Sequence, residues 1–165
     1  MPFGVIVESL KQKYPDLAIS EFRDNHRIVA NSTQVFDVLQ DLMNEHGFDM
    51  LFELTAADYL KYPSATDRFG VVYGVANTTT GERLFVKTWL NEPDLTLPSV
   101  FSLWKGADWL EREVYDMYGI LFAGHPDLRR ILMPDAFTSY PLRKDYPLRG
   151  RGERHYFPVI TRAES

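Results

Sequence analysis

The sequence predicts an α+β protein with two layers, in which an antiparallel or mixed sheet carries its helices on one side. Short segments that alternate apolar and polar residues are joined by turns, and amphipathic helices stand between groups of them. Prolines at 126, 134, 141 and 147 then make helix unfavourable, so an extended C-terminal segment is expected. We therefore divide the chain into an α+β body, residues 1–121, and an extended proline- and arginine-rich partner-binding segment, residues 122–165.

The first helix and the first pair of strands are predicted over residues 5–30. A helix is expected from Val5 to Tyr14, with Val5, Ile6, Leu10 and Tyr14 facing inward. Residues 17–22 and 27–30 are rich in apolar and β-branched side chains, which favours two strands. The polar residues between these strands favour a turn.

The second helix has the clearest signals of the first half. Asn31 and Gln34 have the spacing of a capping box, and Gly47 can end the helix in a left-handed conformation. The spacing of its apolar residues predicts one buried stripe, made of Val35, Val38, Leu39 and Leu42.

Three further strands are predicted after this helix. Phe48, Met50, Phe52 and Leu54 alternate with acidic residues and are expected on one buried face. Residues 68–76 alternate large and small side chains, and the face with the small ones is expected to let a helix or another backbone approach. A hairpin over 77–81 leads to a strand over 84–90.

A loop over 91–98 and an N-cap at Ser99 are expected to lead into the last helix. Gly119 is placed to end this helix after Tyr118. Its spacing predicts an apolar stripe of Leu103, Ala107, Leu110, Val114, Met117 and Leu121. A second line of Trp104, Asp108, Glu111, Tyr115 and Tyr118 is more polar and aromatic.

Composition excludes several kinds of site. The 165 residues predict one domain, and the absence of cysteine excludes disulfides and the thiolates that iron–sulfur clusters require. The four histidines lack metal-ligand spacing, and no phosphate or dinucleotide fingerprint occurs. We therefore expect no catalytic, cofactor-binding or metal site. No stretch approaches the roughly twenty apolar residues of a membrane span, and no secretory signal is recognised.

The charge of the chain is distributed unevenly. The net charge is −5, but residues 129–154 hold seven basic and three acidic residues, so the remainder carries −9. This separation favours an acidic partner surface for the basic segment. Aliphatic residues between the cations argue that the segment packs on something rather than remaining solvated.

Two other functions compete with partner binding. Glu111, Glu113 and Asp116 could supply paired carboxylates for acid–base catalysis, but Arg112 is spaced to pair with Asp116, and ion pairs facing a partner are the better explanation. The arginines with Tyr140, Tyr146 and Tyr156 could bind nucleic acid. The acidic net charge and the prolines oppose that alternative.

Residues 111–120 (EREVYDMYGI), 124–135 (GHPDLRRILMPD) and 140–148 (YPLRKDYPL) together resemble the C-type subunit of NADH-quinone oxidoreductase, the family of the mitochondrial iron–sulfur protein 3 subunit. The chain departs from the family at 136–137, where an acidic residue and a Trp are more usual, and at 138–139, where an acidic–Gly pair is more usual. The first hundred residues resemble the family only in their order of elements.

The resemblance implies a cofactor-free structural subunit of the hydrophilic arm of respiratory complex I. NADH, FMN, iron–sulfur clusters and quinone would be bound elsewhere in the complex. The extended segment would dock on the D-type subunit, which helps form the quinone site, with the B-type and I-type subunits nearby. The hetero-oligomer would lie on the cytoplasmic side of the bacterial inner membrane. Neither nucleic-acid binding nor membrane insertion is expected. A related ferredoxin–quinone reductase or membrane-bound hydrogenase remains an alternative.

The expected partner-binding residues lie in the last helix and the segment after it. The segment is expected to be mobile in the isolated chain, and truncation after Gly124 to leave the body folded. The predicted residues are Glu111, Arg112, Glu113, Asp116, His125, Arg129, Arg130, Arg143, Lys144, Asp145 and Tyr146.

Overall fold

The computed structural model describes residues 3–22 and 25–153. Three helices and seven strands follow one another along this part of the chain. In order, they are α1 (Phe3–Lys13), β1 (Ala18–Phe22), β2 (Asn25–Val29), α2 (Val35–His46), β3 (Met50–Asp58), β4 (Phe69–Ala76), β5 (Arg83–Leu90), β6 (Thr96–Pro98), α3 (Ala107–Tyr118) and β7 (Leu121–Ala123).

Five of the strands form one mixed sheet in the order β1-β2-β5-β4-β3. All neighbours are antiparallel except β2 and β5, which run parallel. The chain between these two strands passes through α2, β3 and β4, a connection long enough for a parallel pair. Strands β6 and β7 form a separate parallel pair beside α3. The predicted α+β class with a mixed sheet is therefore confirmed.

The core lies between one face of this sheet and the helices. In β5, buried side chains alternate with half-buried ones from Leu84 onward, as a period of two requires; in β4, Gly70 and Gly74 on the opposite face are buried as well. From α2 the whole predicted stripe is buried, and Gly47 ends the helix with φ 72°. The largest buried apolar side chains are Tyr73, Phe48, Phe69, Leu10, Ile28 and Leu39.

The predicted start of α2 is wrong in its details. Gln34 is the N-cap residue, and no side chain caps the helix. Asn31 instead accepts the amide hydrogens of Gln34 and Val35 through its backbone carbonyl, so a backbone turn replaces the capping box. In α1, Ile6 and Leu10 are buried as expected, but Val5 is exposed.

A β-bulge changes the expected face of β3. The register with β4 shifts between Leu51 and Glu53, so an extra residue stands in β3 and the alternation changes phase there. Leu51 and Leu54 are buried, whereas Met50 is exposed, contrary to the alternation predicted from the sequence. The glycine face of β4 also differs from expectation, because the side chains of Phe52, Tyr59 and Trp89 cover it.

The segment before α3 is more ordered than the predicted loop. It contains β6, which pairs with β7 from Thr96↔Leu121 onward. Helix α3 begins at Ala107, so Ser99 does not cap it; the Ser99 hydroxyl accepts the Phe101 amide hydrogen and donates to a carboxylate of α3. Gly119 ends α3 as predicted, with φ 76°.

The apolar stripe of α3 is confirmed only in part. Ala107, Val114 and Met117 are buried, Leu110 is half-buried, and Leu121 is exposed because it lies in β7 beyond the helix. The side of the helix that was expected to face a partner holds three buried charged residues instead.

Candidate partner-binding surface

The chain after β7 crosses α3, and a buried carboxylate fixes its backbone. Asp116 Oδ2 accepts the amide hydrogens of Ile131 at 3.1 Å, Leu132 at 2.8 Å and Met133 at 2.9 Å. Asp116 Oδ1 accepts a hydrogen from Arg130 Nη1 at 2.6 Å. Three successive amides around one anion form a nest, so this carboxylate anchors the extension to the body. We call these five residues the Asp116 anchor.

Two opposing effects set the protonation of Asp116. Burial by itself raises the pKa of this carboxyl, but the three amides and the Arg130 guanidinium together outweigh burial and hold the pKa below its usual range. The side chain is therefore charged at neutral pH. Asp116 is fully buried, so removing the groups that bind its charge would strongly destabilise the fold.

Arg112 forms a second contact with the extension. Its Nε donates to the carbonyl of Arg129 at 3.1 Å, and its Nη1 lies 3.9 Å from Asp108 Oδ1, one helical turn away. The predicted Arg112–Asp116 ion pair is therefore wrong. Asp116 pairs with Arg130 from the extension, and both carboxylate oxygens of Asp116 accept hydrogen bonds from that segment.

Glu111 lies entirely inside the body. Its Oε2 accepts the Ser99 hydroxyl hydrogen at 2.7 Å, and its Oε1 accepts the Val100 amide hydrogen at 2.7 Å. Burial raises its pKa to about 7, and the two hydrogen bonds oppose that shift only in part. This carboxyl joins the segment before α3 to the helix.

His125 closes the turn where the extension begins. The Asp127 amide donates to its Nδ1 at 3.0 Å, so the ring proton lies on Nε2. Nε2 faces the carbonyl of Asp108 at 3.3 Å and Glu111 Oε2 at 3.9 Å. The imidazole has no exposed surface, so its contacts hold the turn against α3.

A second ion-pair cluster fixes the extension near residue 144. Arg68 Nη2 contacts Asp145 Oδ2 at 2.8 Å and Asp58 Oδ2 at 3.3 Å, and its Nη1 contacts Glu92 at 2.6 Å. Asp58 also accepts the Lys144 amide hydrogen at 2.8 Å. The Arg68 guanidinium holds the pKa of Asp145 below its usual range. We call these residues the Arg68 cluster.

Arg143 packs between this cluster and the end of α3. Its Nε donates to the carbonyl of Tyr118 at 2.6 Å, and its Nη1 contacts Glu92 at 3.0 Å. The ring of Tyr140 and the Arg143 guanidinium both lie over Gly119, which leaves no room there for a Cβ. Arg130 and Arg143, expected to reach a partner, thus make contacts within the chain.

Sequence reasoning missed Arg68 and Asp58, which come 77 and 86 residues before the extension groups that they bind. The alternation of β3 gave one signal, because it places Asp58 on the buried face of the strand. A buried carboxylate at a strand end requires a partner, but nothing in the local pattern indicates which one.

Some predicted residues remain accessible. Glu113, Arg129 and Lys144 are exposed, Tyr146 is half-buried against Phe137, and Asp145 is exposed beside Arg68. Leu132, Leu142 and Leu148 are exposed apolar side chains of the same segment. A cleft of about 560 Å³ lies between Lys61 and residues 141–148. Partner binding by these groups stays a prediction.

Neither a metal site nor a membrane span occurs in the described part of the chain. Within residues 3–22 and 25–153, no three His, Cys, Asp or Glu side chains are grouped to hold a metal ion. No helix in the same residues has the length and apolar character needed to cross a membrane.

The last helix of the α+β body thus holds a long basic segment through Asp116 and Arg112. The chain belongs to the family "Respiratory-chain NADH dehydrogenase, 30 Kd subunit", whose profile matches residues 28–152. The family resemblance found in residues 111–148 is thereby confirmed, and the chain is a subunit of a multi-subunit NADH-quinone oxidoreductase.

Curated relatives agree along almost the whole chain, and each is named as a C-type subunit of NADH-quinone oxidoreductase. The relative from Geotalea uraniireducens is 38% identical over 152 residues, covering 91% of each chain. The relative from Citrifermentans bemidjiense is 39% identical, covering 91% of this chain and 92% of its own length. The relative from Trichlorobacter lovleyi is 41% identical, with 91% and 93% covered.

Two solved structures share the fold. A chain described as "Nqo5 of the trypsin-resistant fragment (1-134)" superposes with a TM-score of 0.69 at 35% identity, covering 78% of this chain and 100% of the fragment. A chain of the membrane-bound sulfane sulfur reductase, an archaeal respiratory membrane complex, superposes with a TM-score of 0.76 at 24% identity, covering 98% and 95%. The second likeness concerns the fold alone.

Proposed function

We propose that this chain is a cofactor-free structural and assembly subunit of the hydrophilic arm of a proton-pumping NADH:quinone oxidoreductase. Its extension docks on the D-type subunit, which carries the quinone site, and the B-type and I-type subunits lie close by. The complex holds the chain at the cytoplasmic side of the membrane, and catalysis takes place on other subunits. The zero cysteine count and the family membership support this role.

The observation that carries the proposal is that the extension is bound to the body while several of its side chains stay exposed. The Asp116 anchor and the Arg68 cluster fix its backbone, while Arg129, Lys144 and Leu148 remain turned toward solvent. A segment that is already held in its bound conformation loses little conformational entropy on association. Cations set beside exposed leucines suit an acidic partner surface with apolar pockets.

The division into a body of residues 1–121 and a partner-binding segment remains part of the proposal. The existence of a trypsin-resistant fragment of Nqo5 supports a protease-resistant body in a similar protein. The two parts are nevertheless coupled in this chain, because Asp116 and Arg112 of the body use the extension as their hydrogen-bonding partner. Truncation after Gly124 would therefore destabilise the body as well as remove the docking segment.

Charge reversal of exposed cations tests docking without disturbing the anchor. The Arg129 side chain is 70% exposed, and it forms an ion pair with the neighbouring Asp127. The double variant Arg129→Glu, Lys144→Glu should reduce co-purification of the D-type subunit at least tenfold, and the corresponding alanine pair should reduce it less. Lys11→Glu, on the exposed side of α1, serves as the control.

Two measurements separate docking from folding. Circular dichroism of each isolated variant should match the wild-type chain, because both side chains are exposed. Recovery of the D-type subunit with the tagged double variant at the wild-type yield would overturn the docking proposal. Equal losses for the Lys11→Glu control would show that the assay reports net charge rather than this surface.

A further inference from the structure

The sheet has a second face that the core does not use. Buried side chains of β4 and β5 point to the helices, whereas the opposite face carries half-buried or exposed side chains around two glycines. A Cβ at Gly74 would lie 2.7 Å from the Phe52 ring, and one at Gly70 would lie 3.0 Å from Trp89 and 3.1 Å from Tyr59. Aromatic rings therefore lie close against the sheet here. We call this the aromatic face.

Lys87 stands near the centre of the aromatic face. Its Nζ lies 3.6 Å from the centroid of the Trp89 ring and 4.6 Å from that of Tyr59, and it donates to the Tyr59 hydroxyl at 3.0 Å. These contacts hold the ammonium group in one position beside the rings. Within the described chain, no carboxylate forms an ion pair with Lys87, so an ammonium group with three donors keeps unused capacity.

Space for a ligand adjoins this ammonium group. A cavity of about 310 Å³ is lined by Arg27, Phe85 and Lys87 together with Tyr59 and Val72. A second cavity, of about 240 Å³, lies between Tyr59, Trp89 and the loop after β3. The size suits one or two side chains of a protein segment.

Charge indicates the chemistry of the occupant. Among the described strand residues, the aromatic face carries Arg27, Arg83 and Lys87 and the carboxylate of Glu53, and the Asp67 carboxylate lines the second cavity. Arg83 also lies over the Phe52 ring, 5.7 Å from its centroid. This cationic face belongs to a chain whose net charge is −5, so the positive charge is local and not a property of the whole surface.

We propose that the aromatic face is a second docking surface, which binds an acidic segment of another subunit of the same complex. A carboxylate of that segment pairs with Lys87, and its apolar side chains fill the cavity beside Phe85 and Val72. This surface lies on the sheet, and the inference rests on membership of a multi-subunit complex rather than on docking to the D-type subunit.

Ring geometry favours a protein segment over single-stranded nucleic acid. Bases stack on open ring faces, but the Lys87 ammonium group covers one face of Trp89 and donates to the Tyr59 hydroxyl. The rings also meet edge to face, with Tyr59 5.0 Å from Trp89 and 5.6 Å from Tyr62. This arrangement leaves a fixed cation for a carboxylate and little open stacking surface.

Cysteine labelling tests the proposal directly, since the wild-type chain has no cysteine. Thr55 is exposed on the aromatic face, opposite Val72 in the β3–β4 register. We expect Thr55→Cys to react with a maleimide reagent at least tenfold more slowly in the purified complex than in the isolated chain. Denaturing the labelled complex should restore full reactivity, which excludes loss of the thiol by oxidation.

Charge reversal provides the second measurement. Lys87→Glu should reduce recovery of the complex at least tenfold, while Lys105→Glu should assemble normally; Lys105 also stacks on a ring, at 3.9 Å from the Phe101 centroid, but lies before α3. Should Lys87→Glu fail to fold by circular dichroism, the Thr55→Cys labelling rates decide. Equal labelling in the complex and the isolated chain overturns the proposal, as does tight binding of an oligo(U) RNA to the isolated chain at physiological salt.

Discussion

Replacement of Asp116 by asparagine should destabilise the chain by about 3–5 kcal/mol, the usual result of breaking a buried ion pair. If the asparagine carbonyl faces the amides of Ile131, Leu132 and Met133, its NH₂ group faces Arg130 Nη1, which lies 2.6 Å from Oδ1 in the wild-type chain. Two donors then oppose one another, and the Arg130 charge, only 12% exposed, loses its partner.

Urea unfolding of the full chain at pH 7 measures this loss. Glu113→Gln is the matched control, because it removes a carboxylate from the exposed side of the same helix and should change stability by less than about 0.5 kcal/mol. The folded-state pKa of Asp116 lies below its ordinary 3.8, so its contribution is present above that pH and declines as pH falls through the folded-state pKa. A stability of the Asp116→Asn variant within about 0.5 kcal/mol of wild type would refute the anchor.

Other substitutions test the rest of the body. The wild-type chain should lose stability as pH rises from 4.5 to about 7, because the folded-state pKa of Glu111 is raised to about 7 and ionising the buried carboxyl costs up to about 3 kcal/mol. Glu111→Gln should lessen this loss, and parallel pH–stability curves of variant and wild type would contradict the prediction. Gly119→Ala should destabilise by more than about 1 kcal/mol, because φ is 76° and the Cβ would lie 2.5 Å from Tyr140. Gly106→Ala, with φ −65° and no atom within 4 Å, should instead be neutral or stabilising by up to about 1 kcal/mol in the same thermal unfolding assay. Val114→Ala should lower stability by about 1–3 kcal/mol in urea unfolding. The loss should exceed that of Leu110→Ala, because Val114 is buried and Leu110 is only partly buried. The reverse order would show that the core-facing side of α3 is assigned wrongly.

Periodicity predicted the elements that depend on one apolar face. The stripe of α2, the alternation of β5 and the left-handed glycines after α2 and α3 all occur as expected. Each of these patterns is local, because one element and its burial determine it. Backbone details were less predictable: the bulge in β3 and the turn at Asn31 reflect how neighbouring elements fit together.

The charged residues of α3 show why the site was only partly predictable. Glu111, Arg112 and Asp116 were expected to form ion pairs that face a partner. They are buried because residues 99–100 fold over Glu111 and residues 129–133 fold over Arg112 and Asp116. Such contacts join distant parts of the sequence, and their geometry depends on the path of the chain between prolines rather than on residue spacing.

Hydrogen–deuterium exchange of the isolated chain and of the complex tests the central claim most directly. If the Asp116 anchor holds the extension within the chain, the amides of residues 131–133 exchange slowly in both states. If the extension docks on a partner, the amide of Leu148, whose side chain is fully exposed, exchanges rapidly in the isolated chain and slowly in the complex. Exchange of residues 131–133 at the rate of an unfolded peptide in the isolated chain would contradict the anchor, and an unchanged rate at Leu148 on assembly would contradict docking.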